Sequence, residues 1–177
     1  MSRRYTLWSM WRPNNVQFCL DRIGASAPGW STLVVAGTVT TRATPEQVWA
    51  VWSDLGGWPR WSPLHKATAW VSRPGFVRSA QFNQTLALGF PAGTTTRLVT
   101  LDDVETLRQV SWSSAAGDLT SCHSWSFTPQ ADGGTRISNV LALTGRAIGL
   151  LRPLVANRWN RQFQRAVERL AQAAAEA

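Results

Sequence analysis

Residues 153–174, PLVANRWNRQFQRAVERLAQAA, decide how the rest of the chain is read. At about 100° per residue, Val155, Trp159, Phe163, Ala166, Val167, Leu170 and Ala174 share an arc of about 120°, and Arg158, Arg161, Arg165 and Arg169 gather on a far arc. The pattern predicts a long amphipathic helix opened by Pro153. Its apolar face needs a partner, and the preceding chain offers a series of short alternating stretches. A curved antiparallel sheet wrapped around this helix follows, with a hollow between them that can take a ligand.

Working back from the helix, strands are expected at 33–41, 65–72, 77–88, 94–103, 107–114, 119–128 and 135–144. Turn-forming residues separate them: Arg73-Pro74-Gly75, Pro91-Ala92-Gly93, 102–106, Ala116-Gly117-Asp118 and Asp132-Gly133-Gly134. Thr44-Pro45-Glu46-Gln47 predicts a helix start, with Thr44 as N-cap and Gln47 as its capping-box partner. Val48, Val51, Trp52 and Leu55 form that helix's inward stripe, and Gly56-Gly57 ends it. Between Pro59 and Pro63 only a short turn fits, leaving Trp58 and Trp61 at a corner.

Alternation assigns the inner face of the sheet. His123, Trp125 and Phe127 point toward the helix, as do Val110 and Trp112, Phe82, Leu86 and Leu88, and Ile137, Leu141 and Leu143. On the fourth strand Leu98 and Thr100 compete with Val99 and Leu101.

Composition narrows the function. At 177 residues the chain is long enough for one self-sufficient core, spanning 31–177. Residues 1–30 are an extension with no period of its own, and Trp8, Met10, Trp11, Val16, Phe18, Leu20 and Ile23 make it too apolar for a free tail, so it is expected to pack on the domain. No apolar run approaches the ~20 residues of a membrane span, so no membrane insertion is expected. The net charge of +8 rests on arginine, but no nucleic-acid signature accompanies it, and a solvated helix face accounts for it. Nothing demands that Cys19 and Cys122 meet, so reduced thiols and a cytoplasmic location are expected, as a monomer or homodimer. The opening MSRRYTLWSMW has too short an apolar run for a signal peptide.

Ala43-Thr44-Pro45-Glu46-Gln47-Val48-Trp49, Asp54-Leu55, Trp58-Pro59 and Trp61-Ser62-Pro63 resemble the opening of the polyketide cyclase/dehydrase group of the START-like (SRPBCC) superfamily. His123-Ser124-Trp125-Ser126-Phe127, Asp132-Gly133-Gly134-Thr135-Arg136 and Thr144-Gly145 carry the resemblance to the final helix. It implies an α+β helix-grip (START/Bet v 1-like) fold, with a seven-stranded curved sheet around the C-terminal helix over about residues 31 to 175. In the superfamily's aromatase/cyclases a Tyr after the Trp-Pro corner, an Arg on a middle strand and a Trp near the sixth strand face the pocket. By position the Tyr falls on His65, the Trp on Trp125 and the Arg near Asp102, the nearest arginine on that strand being Arg97.

The residues themselves single out His123, held between Trp125 and Phe127 on an inward face. Low dielectric there favours a neutral imidazole able to take or give a proton; a core histidine bonded to a backbone carbonyl is the other reading. His65 stands at the corner, open to water. Asp102 stands at a turn, where backbone bonding alone explains an aspartate. Trp58, Trp61, Phe82, Trp112, Trp125, Phe127, Trp159 and Phe163 are expected to wall a cavity for a hydrophobic, partly oxygenated ligand. Glycine-rich phosphate loops, nucleophile elbows and metal spacing are missing, so neither cofactor nor metal is expected. The expected activity is cyclisation of a polyketide-like intermediate in natural-product biosynthesis, with or without dehydration, or by a pericyclic or other ring-closing route. The alternative is a non-catalytic carrier or sensor of lipid-like ligands.

Overall fold

A computed structural model describes residues 14–25, 29 and 31–177. Trp8, Met10, Trp11 and the start of the chain lie outside the described residues. The elements are α1 (Asn14–Arg22), β1 (Thr32–Thr41), α2 (Pro45–Ser53), α3 (Trp58–Trp61), β2 (His65–Trp70), β3 (Gln81–Gly89), β4 (Gly93–Glu105), β5 (Gln109–Ala116), β6 (Leu119–Pro129), β7 (Thr135–Thr144) and α4 (Arg146–Ala175). The seven strands form one antiparallel sheet in the order β1-β7-β6-β5-β4-β3-β2.

Local chemistry sets the corners. Thr44 caps α2 and Gln47 returns the bond, the reciprocal pair expected there. Trp58 donates its indole N–H to the Trp52 carbonyl at 2.6 Å, which fixes the corner after α2. On the fourth strand Val99 and Leu101 face inward and Leu98 is exposed, which settles the competing registers.

α4 lies along β1. A Cβ at Gly37 would collide with the Phe163 carbonyl oxygen, so glycine permits the close approach. Asn160 Oδ1 accepts from the Ala36 amide at 3.0 Å, Gln164 Oε1 accepts from the Thr38 amide at 3.1 Å, and Gln164 Nε2 donates to the Thr38 carbonyl at 3.0 Å. These amides stand in for a neighbouring strand along the edge of β1.

Two expectations are corrected here. α4 begins at Arg146, two turns before Pro153, which lies inside the helix. Pro153 has no N–H to give to the Gly149 carbonyl, so the helix passes through it with one hydrogen bond fewer. The cysteines are paired: Cys19 and Cys122 form a disulfide across 103 residues. Alternation turns Cys122 to the outer face of β6, where α1 brings Cys19. Buried Asn15 secures the same contact, donating to the Ser124 carbonyl at 3.0 Å and accepting from Ser138 Oγ at 3.0 Å. Disulfides persist in oxidising compartments, so the cytoplasmic expectation loses the reduced thiols on which it stood.

Candidate functional site in the interior between sheet and helix

Two clusters fill the space under α4. One is aromatic, built by Trp52, Trp58, Trp61, Phe82, Trp112, Trp125 and Phe127 against the C-terminal half of α4. The other is mainly aliphatic: Leu33, Val35, Leu64, Leu143, Ile148 and Val155 pack with Trp159 and Phe163, and Leu86, Leu88, Leu119 and Leu141 are only partly buried beside them.

The tryptophans expected as cavity walls are packed on one another. Trp52 lies 5.4 Å from Trp58 and 6.1 Å from Trp125, and Trp58 lies 6.2 Å from Trp61, 5.7 Å from Phe82 and 6.4 Å from Trp112. Trp58, Trp125, Phe82 and Phe127 are buried completely or nearly so. They are core first. Trp159 and Phe163 belong to the second cluster, where the Trp159 indole N–H donates to the Leu88 carbonyl at 3.2 Å and ties α4 to the end of β3.

Both histidines sit at the seam. His123 is half-buried, with its ring 4.4 Å from Trp112, 5.5 Å from Phe163 and 6.4 Å from Trp125. Its Nε2–H donates to Asn139 Oδ1 at 2.6 Å, and Nδ1 has no partner among the described residues. His65 is buried, not open to water: the corner folds it under Trp58, 4.8 Å away. Its Nε2–H donates to Gln84 Oε1 at 3.1 Å, and Ser62 Oγ donates to its Nδ1 at 2.7 Å. Each ring is thus fixed in one neutral tautomer by a side-chain amide.

Burial pushes the His65 imidazole down to about 4, against the Gln84 hydrogen bond that raises it. Burial likewise pushes His123 down to about 3; the Asn139 bond opposes this and a charge on His65 adds to it. Neither ring holds a proton at neutral pH. A base that weak gains little driving force for proton abstraction, so the arrangement suits neutral hydrogen bonding.

Three buried indole donors remain: Nε1 of Trp52, of Trp61 and of Trp125 have no acceptor among the described residues, and the Trp61 and Trp125 rings lie 6.0 Å apart. A buried unpaired donor costs about 1–3 kcal/mol, which a ligand oxygen would recover.

The other two polar candidates fall elsewhere. Asp102 is in β4, not in a turn, and alternation from inward Leu101 puts it on the outer face; the register shift that follows pairs Asp103 with Ser111 on that face too. There it accepts from Ser113 Oγ and lies 4.0 Å from Arg22 of α1, so it does not reach the interior. Arg97 pairs in register with Gln84 but is exposed at the open end of the sheet. Gln84 and Asn139 were missed, although alternation marks them: each is an amide in step with an apolar inward face, between Phe82 and Leu86 or between Ile137 and Leu141. Among the described residues no group of three His, Cys, Asp or Glu is placed to hold a metal.

Residues 32–175 match the family described as polyketide cyclase / dehydrase and lipid transport. The chain belongs to that family. The polyketide cyclase/dehydrase fold recurs in solved structures. The Zhui aromatase/cyclase of a Streptomyces species is 15% identical with a TM-score of 0.61, covering 80% of this chain and 93% of its own. The hypothetical protein jhp0584 from Helicobacter pylori is 16% identical at 0.67, over 80% and 87% of the two chains. Ara h 8.0201 is 13% identical at 0.60, over 82% and 99%. Likeness at these identities shows the helix-grip fold. No curated protein matches the chain by sequence.

Proposed function

We propose that the protein takes a hydrophobic, oxygen-bearing polyketide or related intermediate at the seam of the two clusters and promotes its ring closure. The observation that carries this reading is the pair of amide-fixed neutral histidines in an aromatic cluster that holds three buried indole donors without acceptors, Trp52, Trp61 and Trp125. The aliphatic end would shape the flexible chain into a near-attack conformer. An indole N–H would polarise a ligand carbonyl, and His123 Nδ1 would accept from an enol or hydroxyl group. Membership of a family of cyclases and dehydrases supports the reading. The low histidine pKa values equally favour a second one, a carrier of lipid-like ligands, because no group is poised to move protons at neutral pH.

The test is incubation of the purified protein with a linear poly-ketone intermediate, following ring closure by retention shift at constant mass or at the loss of one water. Product is expected, with His123→Ala lowering turnover about tenfold, the worth of one hydrogen bond, and leaving affinity within a few-fold. A loss of about 10²-fold with a pH profile breaking near 6 to 7 would instead make His123 a proton-transfer group, against the structure's neutral imidazole. Binding without product would favour the carrier.

A further inference from the structure

We infer that the open end of the fold is a docking surface for an anionic lipid bilayer. Three of the six large apolar side chains exposed among the described residues gather there: Phe90 at 79%, Leu150 at 72% and Leu154 at 61%. Phe90, with exposed Pro91 and Ala92, forms the tip of the β3–β4 hairpin; Leu150 and Leu154 stand one turn apart on the outer stripe of α4. Arg158 joins the two, because it follows Leu154 by one turn and its guanidinium lies where a Cβ of Gly89 would be. Arg146 and Arg161 continue the same stripe.

Charge selects the occupant. The acid placed on this face is Asp118, already bonded to Arg146 at 3.1 Å. A second copy set against the same face would oppose arginine with arginine. A bilayer with anionic headgroups pairs with the arginines and takes the apolar tips between its acyl chains, the pattern of a basic interfacial helix. Among the described residues no helix is long and apolar enough to cross a membrane, so the contact is peripheral. The surface also adjoins the interior: Leu88, two residues before Phe90, packs in the aliphatic cluster.

Co-flotation of the full chain with vesicles tests this, using phosphatidylcholine alone and phosphatidylcholine with about a third phosphatidylglycerol. Binding is expected to the anionic vesicles only, weakening as salt rises. Phe90→Glu with Leu154→Glu should lower affinity about tenfold or more, and Arg158→Gln with Arg161→Gln should lower it and flatten the salt dependence. All four side chains are exposed, so the thermal midpoint should hold in each variant. Leu98→Glu, at an exposed apolar residue on the outer face of β4, should bind as the parent does. The proposal is overturned by absence of binding, by equal binding to neutral vesicles, by equal loss in Leu98→Glu, or by a dimer that Leu154→Glu dissociates without any vesicle binding.

Discussion

At one end of the interior Trp49, Trp52, Trp58, Phe76 and Phe127 meet ring to ring, with centroids 4.5 to 6.2 Å apart. At the other, Leu86, Leu88, Leu119 and Leu141 stay partly buried around Trp159 and Phe163. The aromatic end is filled with stiff side chains of few rotamers, and removing one leaves a hole its neighbours cannot close. The aliphatic end keeps apolar surface uncovered and can yield. One end therefore holds the sheet to α4, and the other is the end proposed to adapt to a ligand, with His65 and His123 on the seam.

The contrast can be broken by mutation. Trp58→Ala should cost about 3–5 kcal/mol in denaturant unfolding, because a fully buried ring and its bond to the Trp52 carbonyl go together. Leu141→Ala, at a partly buried site, should cost about 1 kcal/mol. Equal costs would mean the two ends are packed alike.

Acid sharpens the same contrast at the seam. Well above pH 6.5 neither histidine is protonated, folded or unfolded, and the stability is full. As pH falls below 6.5 the unfolded chain takes up protons that the fold refuses, so stability is lost down to the folded values near 4 for His65 and 3 for His123. The slope is about 1.4 kcal/mol per pH unit for each histidine. Unfolding measured between pH 6.5 and 5, above the carboxylate range, should show it, and His65→Gln should remove its share. A flat profile would mean that the rings are not held neutral.

Much of the fold was legible because its signals are local. The Thr44 capping box, the alternation of β6 and β7 and the apolar arc of α4 each need only a few neighbouring residues. What was not legible depends on where distant segments meet. Cys19 finds Cys122 only because α1 crosses β6, and Asp102 leaves the interior because packing settles the fourth strand with Val99 and Leu101 inward. His123 could be placed from its strand, but its partner Asn139 lies on the next strand, and the protonation of the ring depends on both. The tryptophan count suggested a cavity; their mutual packing shows most of that area already spent on the core.

On the proposed function, the aliphatic end beside the seam receives the ligand's chain. Leu141→Trp adds bulk to that end beside His123, its register partner. Calorimetric titration with a hydrophobic poly-ketone should show binding to the parent protein and affinity lowered by about 10²-fold or more in Leu141→Trp, with the variant still folded at a cost of no more than about 1–3 kcal/mol. Equal affinity in both proteins would place the ligand elsewhere and contradict the account.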